Sequence, residues 1–268
     1  MIEIPSLRPE TRYGIPPADQ LLFNRQYSIG YSFLFRQAKW AMEVIDPDNS
    51  AVEVGRADVF REDLRVPEPF RAALVDYKGE TGFDRGHLVS SADRRSNQIR
   101  NSETFLLSNM SPQRSKFNRG IWKKLEGAVR DLSCLYLEVY VSCGPIFDIN
   151  KRIKIIGDDP NQDDDVVIPV PHAYFKSVLA ENHRGRLSLW SFILPNVDKS
   201  SPNLVDFLVK TTEIERRTGL QLWDKLRGSK GNKLRNMATM WSLDKAKKAA
   251  AKRKAEREAE AAAGASST

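Results

Sequence analysis

Residues 82–91 read "GFDRGHLVSS", and the prediction of the fold starts from them. The stretch places Asp84, Arg85 and His87 between the aromatic Phe83 and the apolar Leu88. The chain has only three histidines, so the presence of one beside two charged residues calls for an explanation. That explanation comes from the polar residues that follow downstream.

The composition predicts a globular protein with a basic surface. Of its 268 residues 41% are hydrophobic, which is enough for one or two domains. Lysine and arginine exceed aspartate and glutamate by 42 to 35, a net charge of +7, which favours an anionic partner such as nucleic acid or a membrane surface. The N-terminus lacks the pattern of a secretory signal, and no apolar run reaches the ~18 residues that span a bilayer. We therefore expect an intracellular, cytoplasmic protein without membrane contacts.

The two cysteines predict no disulfide framework. Cys134 and Cys143 both fall in "SCLYLEVYVSCGPIF", an apolar run typical of a buried strand. Their odd spacing would point them to opposite faces of a continuous strand. We expect two reduced residues in the core.

The chain divides into a body and a charged tail. Residues 1–243 carry the apolar segments of one domain, whereas residues 244–268 are rich in alanine, lysine and glutamate. The tail is expected to be helical or disordered, with i,i+4 charge pairs and without an apolar stripe by which to dock. A solvated tail is the simpler interpretation, and an arm that tethers nucleic acid is the alternative.

Hydrophobic periodicity predicts a sheet with helices around it. Residues 26–45, "QYSIGYSFLFRQAKWAMEVI", are expected to form two strands that open the sheet. Further strands are predicted at residues 104–109, 135–147, 172–179 and 186–196, and helices at residues 121–132 and 204–226. The acidic residues 158–165 are expected to form a solvated loop, because they lack the spacing of a calcium-binding loop.

Five polar residues between positions 85 and 126 each have an ordinary structural explanation when taken singly: Arg85, His87, Asn109, Asn118 and Glu126. The histidine would be a hydrogen-bonded core residue and the arginine a surface ion-pair partner. The first asparagine would be a turn residue, the second a helix N-cap, and the glutamate a solvated helix residue. On the predicted helix, however, Asn118 projects onto the apolar face, where a carboxamide needs a polar partner.

The joint pattern resembles a family signature. "DRGH" on a strand, "SN" closing the next strand, and an asparagine with a glutamate eight residues later at the start of a helix are similar to the DNA/RNA non-specific endonuclease family. This family of ββα-metal nucleases includes the endonuclease G-like enzymes. The blocks "ETFLLSNMSPQ" and "FNRGIWKKLE" also resemble the family's central block, and the resemblance covers residues 11–227.

The resemblance implies a fold and an activity. The fold would be α+β, with a central, mainly antiparallel sheet flanked by helices and a ββα-metal finger as the active site. The activity would be endonucleolytic hydrolysis of DNA and RNA with weak sequence preference, dependent on one Mg²⁺ (or Mn²⁺) per active site. The implied partners are DNA and RNA, a second copy of the chain in a homodimer, and a protein inhibitor that restrains the nuclease.

The resemblance also implies residue roles. His87 would be the general base that deprotonates the attacking water, for which the ordinary histidine pKa of ~6.5 is suitable. Asn118 would be the direct protein ligand of the metal ion, and Glu126 would orient the waters bound to the metal. Arg85 and Arg130 would bind phosphate.

Two further positions complete the comparison. Asn109 resembles a supporting asparagine that holds the loop and the catalytic base. Some secreted members have an additional asparagine four residues earlier, where this chain has Phe105. The hydrogen bond that this asparagine supplies is therefore expected to be absent or to come from elsewhere.

Two other classes of protein stay open. A nucleic-acid-binding protein with weak or lost catalysis would have the same basic charge, but it would be free to lose His87 or Asn118, and both are present. A membrane-surface protein would use the basic tail, which lacks an amphipathic stripe.

Overall fold

The structure is a computed structural model that describes residues 8–48, 54–55, 57–79, 82–157 and 167–265. The acidic residues 158–165, predicted to form a solvated loop, lie outside these ranges.

Within the described residues, eleven strands form one large sheet and two small ones. The large sheet contains β1 (Gln20–Phe23), β2 (Tyr27–Ser32), β3 (Gln37–Ile45), β6 (Glu138–Ile146), β9 (Ala173–Glu181), β10 (Leu187–Pro195) and β11 (Leu208–Val209). The small sheets pair β4 (Phe83–His87) with β5 (Met110–Arg114), and β7 (Ile155–Ile156) with β8 (Ile168–Pro169). The strand order of the large sheet is β1-β2-β3-β6-β9-β10-β11, and every pair in it is antiparallel.

Six α-helices accompany the sheets: α1 (Gln98–Glu103), α2 (Ser115–Phe117), α3 (Lys123–Ser133), α4 (Thr211–Thr218), α5 (Gly228–Arg235) and α6 (Leu243–Ala265), as far as the described residues extend. A π-helical turn, Asn118–Trp122, joins α2 to α3. Short 3₁₀ turns lie at Pro9–Thr11, Glu68–Phe70, Val75–Tyr77, Ser91–Arg94, Leu107–Asn109 and Leu204–Phe207.

The large sheet is covered on both faces. On one face, Trp122, Leu125 and Val129 from the π turn and α3 share a core with sheet residues such as Val141 and Val178. On the other face, Ile214 of α4 and Trp223 pack against Trp40 and Phe175. Because both faces are covered, β6 and β9 are buried along almost their whole length. The predicted α+β fold with a central antiparallel sheet is confirmed.

Helix α6 lies against the body rather than in solvent along its whole length. It packs along α3, and its Ala246 is fully buried. Just before it, Trp241 meets Trp190 and Phe192 edge-on, with ring centroids 5.3 and 5.6 Å apart. Arg253 donates from Nε to Asp48 at 2.8 Å. The sequence concealed this docking face because alanines and arginine stems form it, not large apolar residues.

Three local predictions were wrong. Residues 104–109 form no strand: Leu107–Asn109 is a 3₁₀ turn, and the strand begins only at Met110. The cause is polar burial, since Ser108 donates to Asp63 at 2.6 Å and the side chain of Asn109 bonds to the backbone, which curls the chain.

The other two corrections concern element ends. In residues 204–226 only Thr211–Thr218 is α-helical; Leu208–Val209 pairs with β10, and Gly219 ends the helix at a φ of 70°. Cys134 follows α3 and is partly exposed, whereas Cys143 is buried on β6, and both are free.

Among the described residues, no helix combines the length and the apolarity that crossing a bilayer requires.

Candidate active site

Strand β4 carries the Asp-Arg-Gly-His stretch and pairs with β5. Residues two apart project to the same side of a strand, so Arg85 and His87 share a side. Between them, Gly86 lies directly against Gln113, and a Cβ on this glycine would come within 2.2 Å of the Gln113 side chain. The glycine is therefore needed for the close approach of the two strands that position the histidine.

The carboxylate of Asp84 fixes the start of the helical segment. It accepts hydrogen bonds from Ser115 Oγ at 2.8 Å, from Asn118 Nδ2 at 2.9 Å, and from Arg119 Nε and Nη2 at 2.9 and 2.8 Å. Burial by itself would raise the pKa of Asp84, but these hydrogen bonds outweigh burial and lower it. An ionised carboxylate only accepts, so the Asn118 amide must present its NH₂ group to Asp84, which leaves Oδ1 for another partner.

The π-helical turn explains how neighbouring residues reach the same carboxylate. Gly120 within it has φ −102° and ψ −105°, outside the helical range. π turns of this kind recur at functional sites. Asn118 itself has helical φ and ψ of −56° and −52°, so the ordinary explanation as an N-cap does not hold.

Aromatic rings surround His87. The Phe105 ring meets the imidazole edge-on at 4.9 Å between centroids, and the Phe60 ring lies at 5.8 Å. Phe105 thus packs against the candidate base at the position where some secreted members of the family that the sequence resembles have an asparagine. Behind the ring, Trp122 donates from Nε1 to the His87 carbonyl at 3.3 Å. His87, the last residue of β4, is thus held by the π turn on one hand and by the segment before β5 on the other.

Asn109 secures the chain immediately after His87. It is fully buried, and its Nδ2 donates to the carbonyls of Val89 and Thr104 at 2.9 Å each. Its Oδ1 accepts from the Val89 N–H at 3.0 Å. Asn109 is not among the residues that line the cleft described below, so in this structure it positions the loop without facing the reacting groups.

Glu126 and Arg130 project from one face of α3, a helical turn apart. Burial raises the pKa of Glu126 to about 6, an effect strengthened by Asp93 and opposed by Lys176 and Arg130. Arg130 binds Asp93 through Nη1 at 2.6 Å, and the charge of Asp93 raises the pKa of the guanidinium further. A phosphate would therefore share Arg130 with Asp93.

A cleft of about 1090 Å³ brings most of the predicted residues together. Its walls include Arg85, His87, Asn118, Glu126 and Arg130. The Arg85 guanidinium lies 4.1 Å from the centroid of the Phe60 ring, and not in the ion pair with Asp84 that the sequence suggested.

The sequence did not identify several other residues of the cleft. Among them are Phe60, Tyr77, Asp84, Arg119 and Lys123. Arg119 directly follows Asn118, so the "FNRG" block contained a signal for it. Phe60 and Tyr77 come from residues 57–79, where no motif marks them.

The donor set fits a hydrated hard cation. In the part of the chain that the structure describes, no three or more His, Cys, Asp or Glu side chains group together to hold a metal ion. A Mg²⁺ ion that keeps most of its waters needs no such cluster and prefers oxygen donors. Asn118 Oδ1, left over by the bond to Asp84, is a donor of that kind in the cleft.

Comparisons with known proteins identify nucleases that are similar to this chain. A nuclease from Syncephalastrum racemosum is 36% identical over 235 residues, which cover 80% of this chain and 70% of the relative. The mitochondrial endonuclease G of Homo sapiens is 36% identical over 220 residues, covering 78% and 71%. Among solved structures, the crystal structure of the EndoG/EndoGI complex, on the mechanism of EndoG inhibition, superimposes with a TM-score of 0.74 at 29% identity, covering 81% of this chain and 91% of that one.

The family assignment follows from both kinds of evidence. The family model "DNA/RNA non-specific endonuclease" matches residues 7–229, which include every strand of the large sheet and the whole cleft. The resemblance seen in the sequence is confirmed. The chain belongs to the DNA/RNA non-specific endonuclease family and is a nuclease.

Proposed function

We propose that the chain is a Mg²⁺-dependent endonuclease that hydrolyses phosphodiester bonds of DNA and RNA with weak sequence preference, Mn²⁺ being the substitute ion. One observation supports this most: the His87 imidazole and the Asn118 carboxamide, contributed by different elements, line the same cleft. A base and an oxygen donor for a cation in one cleft are what phosphodiester hydrolysis requires.

His87 acts as the general base in this proposal. Its imidazole takes a proton from the attacking water as the new P–O bond forms, the bond to the leaving oxygen breaks, and that oxygen is protonated by water. The Phe105 ring packs against the imidazole, and Trp122 holds the backbone of His87, which keeps the base in place for this transfer. A positioned base of this kind contributes ~10²–10⁴-fold to the rate.

Asn118 would hold the cation through Oδ1, with its amide fixed by Asp84. When bound, a hard divalent cation stabilises negative charge on the phosphate and on the leaving oxygen. Glu126 would orient water at the ion, and its pKa of about 6 leaves it mainly ionised at neutral pH. Asn109 supports the base indirectly, through the loop after β4.

Phosphate recognition is assigned to the basic residues of the cleft. Arg85 is exposed and its guanidinium lies over the Phe60 ring, and Arg130 lines the same cleft. Contacts with phosphates position a nucleic acid but carry no sequence information. A cleft whose charged groups address the backbone therefore favours weak sequence preference and the acceptance of both DNA and RNA.

The proposal extends to partners and location. We propose a homodimer and regulation by a protein inhibitor; the similarity to EndoG in a complex with EndoGI supports the second. The mitochondrial names of the endonuclease G relatives favour mitochondria over the cytoplasm, which the sequence had suggested. Fractionation of cells that express the tagged chain distinguishes the two compartments.

A direct experiment tests the proposed activity. Purified protein is incubated with supercoiled plasmid and with single-stranded RNA, in Mg²⁺ or in EDTA, next to an Asn118→Ala variant. Cleavage of both substrates in Mg²⁺, and its loss in EDTA and in the variant, is the expected result. Binding without cleavage would instead identify a nucleic-acid-binding protein that has lost catalysis.

A further inference from the structure

A lysine is buried between the large sheet and α3, behind the cleft. Lys176 lies in the middle of β9 and is only 3% exposed. Tyr174 and Val178, its neighbours two residues away on either side, belong to the core that packs against α3. Since residues two apart share a face, the Lys176 side chain enters that core. A buried ammonium is costly unless an anion accompanies it.

Lys176 belongs to a charged layer that also contains acids and bases from other elements. The layer is defined by Glu43, Asp93, Arg94, Glu126, Arg130 and Lys176, and it has as many acids as bases. Arg94 pairs with Glu43 at 2.8 Å, and both are almost fully buried. Arg130 pairs with Asp93 at 2.6 Å. The remaining cation and anion are Lys176 and Glu126.

Trp122 locates the lysine next to that glutamate. The Lys176 Nζ lies 4.5 Å from the centroid of the Trp122 ring. Trp122 and Glu126 are four residues apart on a continuous helical segment, so they are neighbours on one helix face. The ammonium therefore lies beside the turn that carries Glu126.

The electrostatics of the layer support an interaction between the charges of Lys176 and Glu126. Burial lowers the pKa of Lys176, but Cys143, Glu126, Glu43 and Asp93 more than offset burial and raise it. The Cys143 thiol stays neutral at neutral pH because burial raises its own pKa to about 12, so the compensating charge must come from the carboxylates. Of the interactions that oppose protonation of Glu126, the one with Lys176 is the largest.

We propose that Lys176 is a positioning residue of the nuclease site: its buried ammonium lies beside the helical turn that carries Glu126 and, through its charge, holds that carboxylate ionised at the wall of the cleft, without touching the substrate. The inference rests on the proposed function only for its effect on catalysis. The other titratable or charged groups that act on Glu126 are Glu43, Cys143, Asp93 and Arg130. Arg94 is paired with Glu43, and His87 lines the same cleft. Helix α6 packs on another side of α3, where Lys247 approaches Asp131.

The first test needs neither metal nor activity. Unfolding by urea is followed in EDTA between pH 5 and pH 9 for the wild type, Lys176→Met, Glu126→Gln and the double variant. In Lys176→Met the pKa of Glu126 rises further above its unfolded value of ~4.3, so stability should fall as pH rises through that interval. The double variant lacks the Glu126 carboxylate, so its stability should not show this additional decrease with rising pH. Equal effects of Lys176→Met in both backgrounds would overturn the electrostatic coupling between Lys176 and Glu126.

The second test separates positioning from a merely structural role. In Lys176→Met the acidic limb of the pH profile of kcat/KM should move upward by on the order of one pH unit, with recovery toward wild-type activity at high pH. A loss of equal size at every pH would overturn the positioning role.

Lys39→Met is the matched control. It also removes a lysine from the large sheet, but this ammonium binds Asp19 at 3.0 Å and does not line the cleft. Its profile should keep the wild-type limb, and a limb that moves as far as that of Lys176→Met would contradict the inference. If the wild type cleaves nothing, the proposed function fails, whereas the unfolding comparison still decides whether the charge of Lys176 acts on Glu126.

Discussion

At the scale of single residues, Asp84 determines how the proposed metal ligand is presented. It orients the Asn118 amide and at the same time binds Arg119, which is 76% exposed on the rim. A salt bridge so exposed contributes little to stability. The function of Asp84 is therefore better measured through the metal ion than through unfolding.

We expect Asp84→Asn to raise the Mg²⁺ concentration for half-maximal cleavage by ~10–100-fold, the usual effect of losing a partner that orients a metal ligand. The amide cannot accept four hydrogen bonds as the carboxylate does, so Asn118 loses its fixed orientation. Titration of initial cleavage rates with Mg²⁺ measures the change. Arg119→Ala is the control, because it keeps the bond between Asp84 and Asn118 and should leave the half-activating concentration near that of the wild type.

His87→Ala should lower kcat/KM by at least ~10²-fold while nucleic-acid binding stays nearly intact. The reason is that the imidazole moves a proton, whereas Arg85 and the other basic residues of the cleft carry the binding. Plasmid cleavage rates and fluorescence anisotropy in EDTA give the two quantities. An unchanged cleavage rate would exclude His87 as the base.

At the scale of elements, helix α6 is the principal addition to the matched region. The family model ends at residue 229, and α6 begins at Leu243. Its anchor is Trp241, which is 7% exposed against Trp190 and Phe192. The helix covers part of α3, so its docking should stabilise the element that carries Glu126.

Trp241→Ala should lower the free energy of unfolding by about 3 kcal/mol, as expected for deletion of a large buried aromatic side chain. Urea denaturation in EDTA measures this loss. Lys252→Ala, on the exposed side of α6, is the comparison and should change stability by less than about 0.5 kcal/mol. Equal effects of the two substitutions would show that α6 does not depend on its anchor.

The sequence predicted elements that have one simple pattern and failed where a polar contact competes with that pattern. Strands β9 and β10 follow from their apolar runs, and the body of α3 follows from its helical periodicity. Residues 104–109 were wrongly predicted as a strand, because the buried Asn109 side chain bonds to the backbone and turns the chain. The apolar character of the segment does not indicate such a turn. For the site, the family resemblance of the sequence indicated His87, Asn118 and Glu126, and the structure brings these three residues to one cleft. The sequence did not indicate Lys176, because only the pairing of distant strands brings it behind α3.

At the scale of the whole molecule, the net charge of +7 determines how the protein meets its substrate. Nucleic-acid affinity should fall as salt rises, because binding of phosphates by Arg85, Lys123 and Arg130 would release counterions. Three such contacts give a slope of about −3 for the logarithm of affinity against that of salt concentration. Anisotropy titrations of the Asn118→Ala variant in EDTA measure the slope without cleavage. A flat response would show that contacts other than ion pairs dominate.

Trp122 touches both halves of the proposed chemistry: its indole N–H holds the backbone of His87, and its ring face meets the ammonium of Lys176. The end of β4, which carries the proposed base, and the helical segment that presents the proposed cation site are thus connected through one side chain. A shift of either element would therefore displace the other.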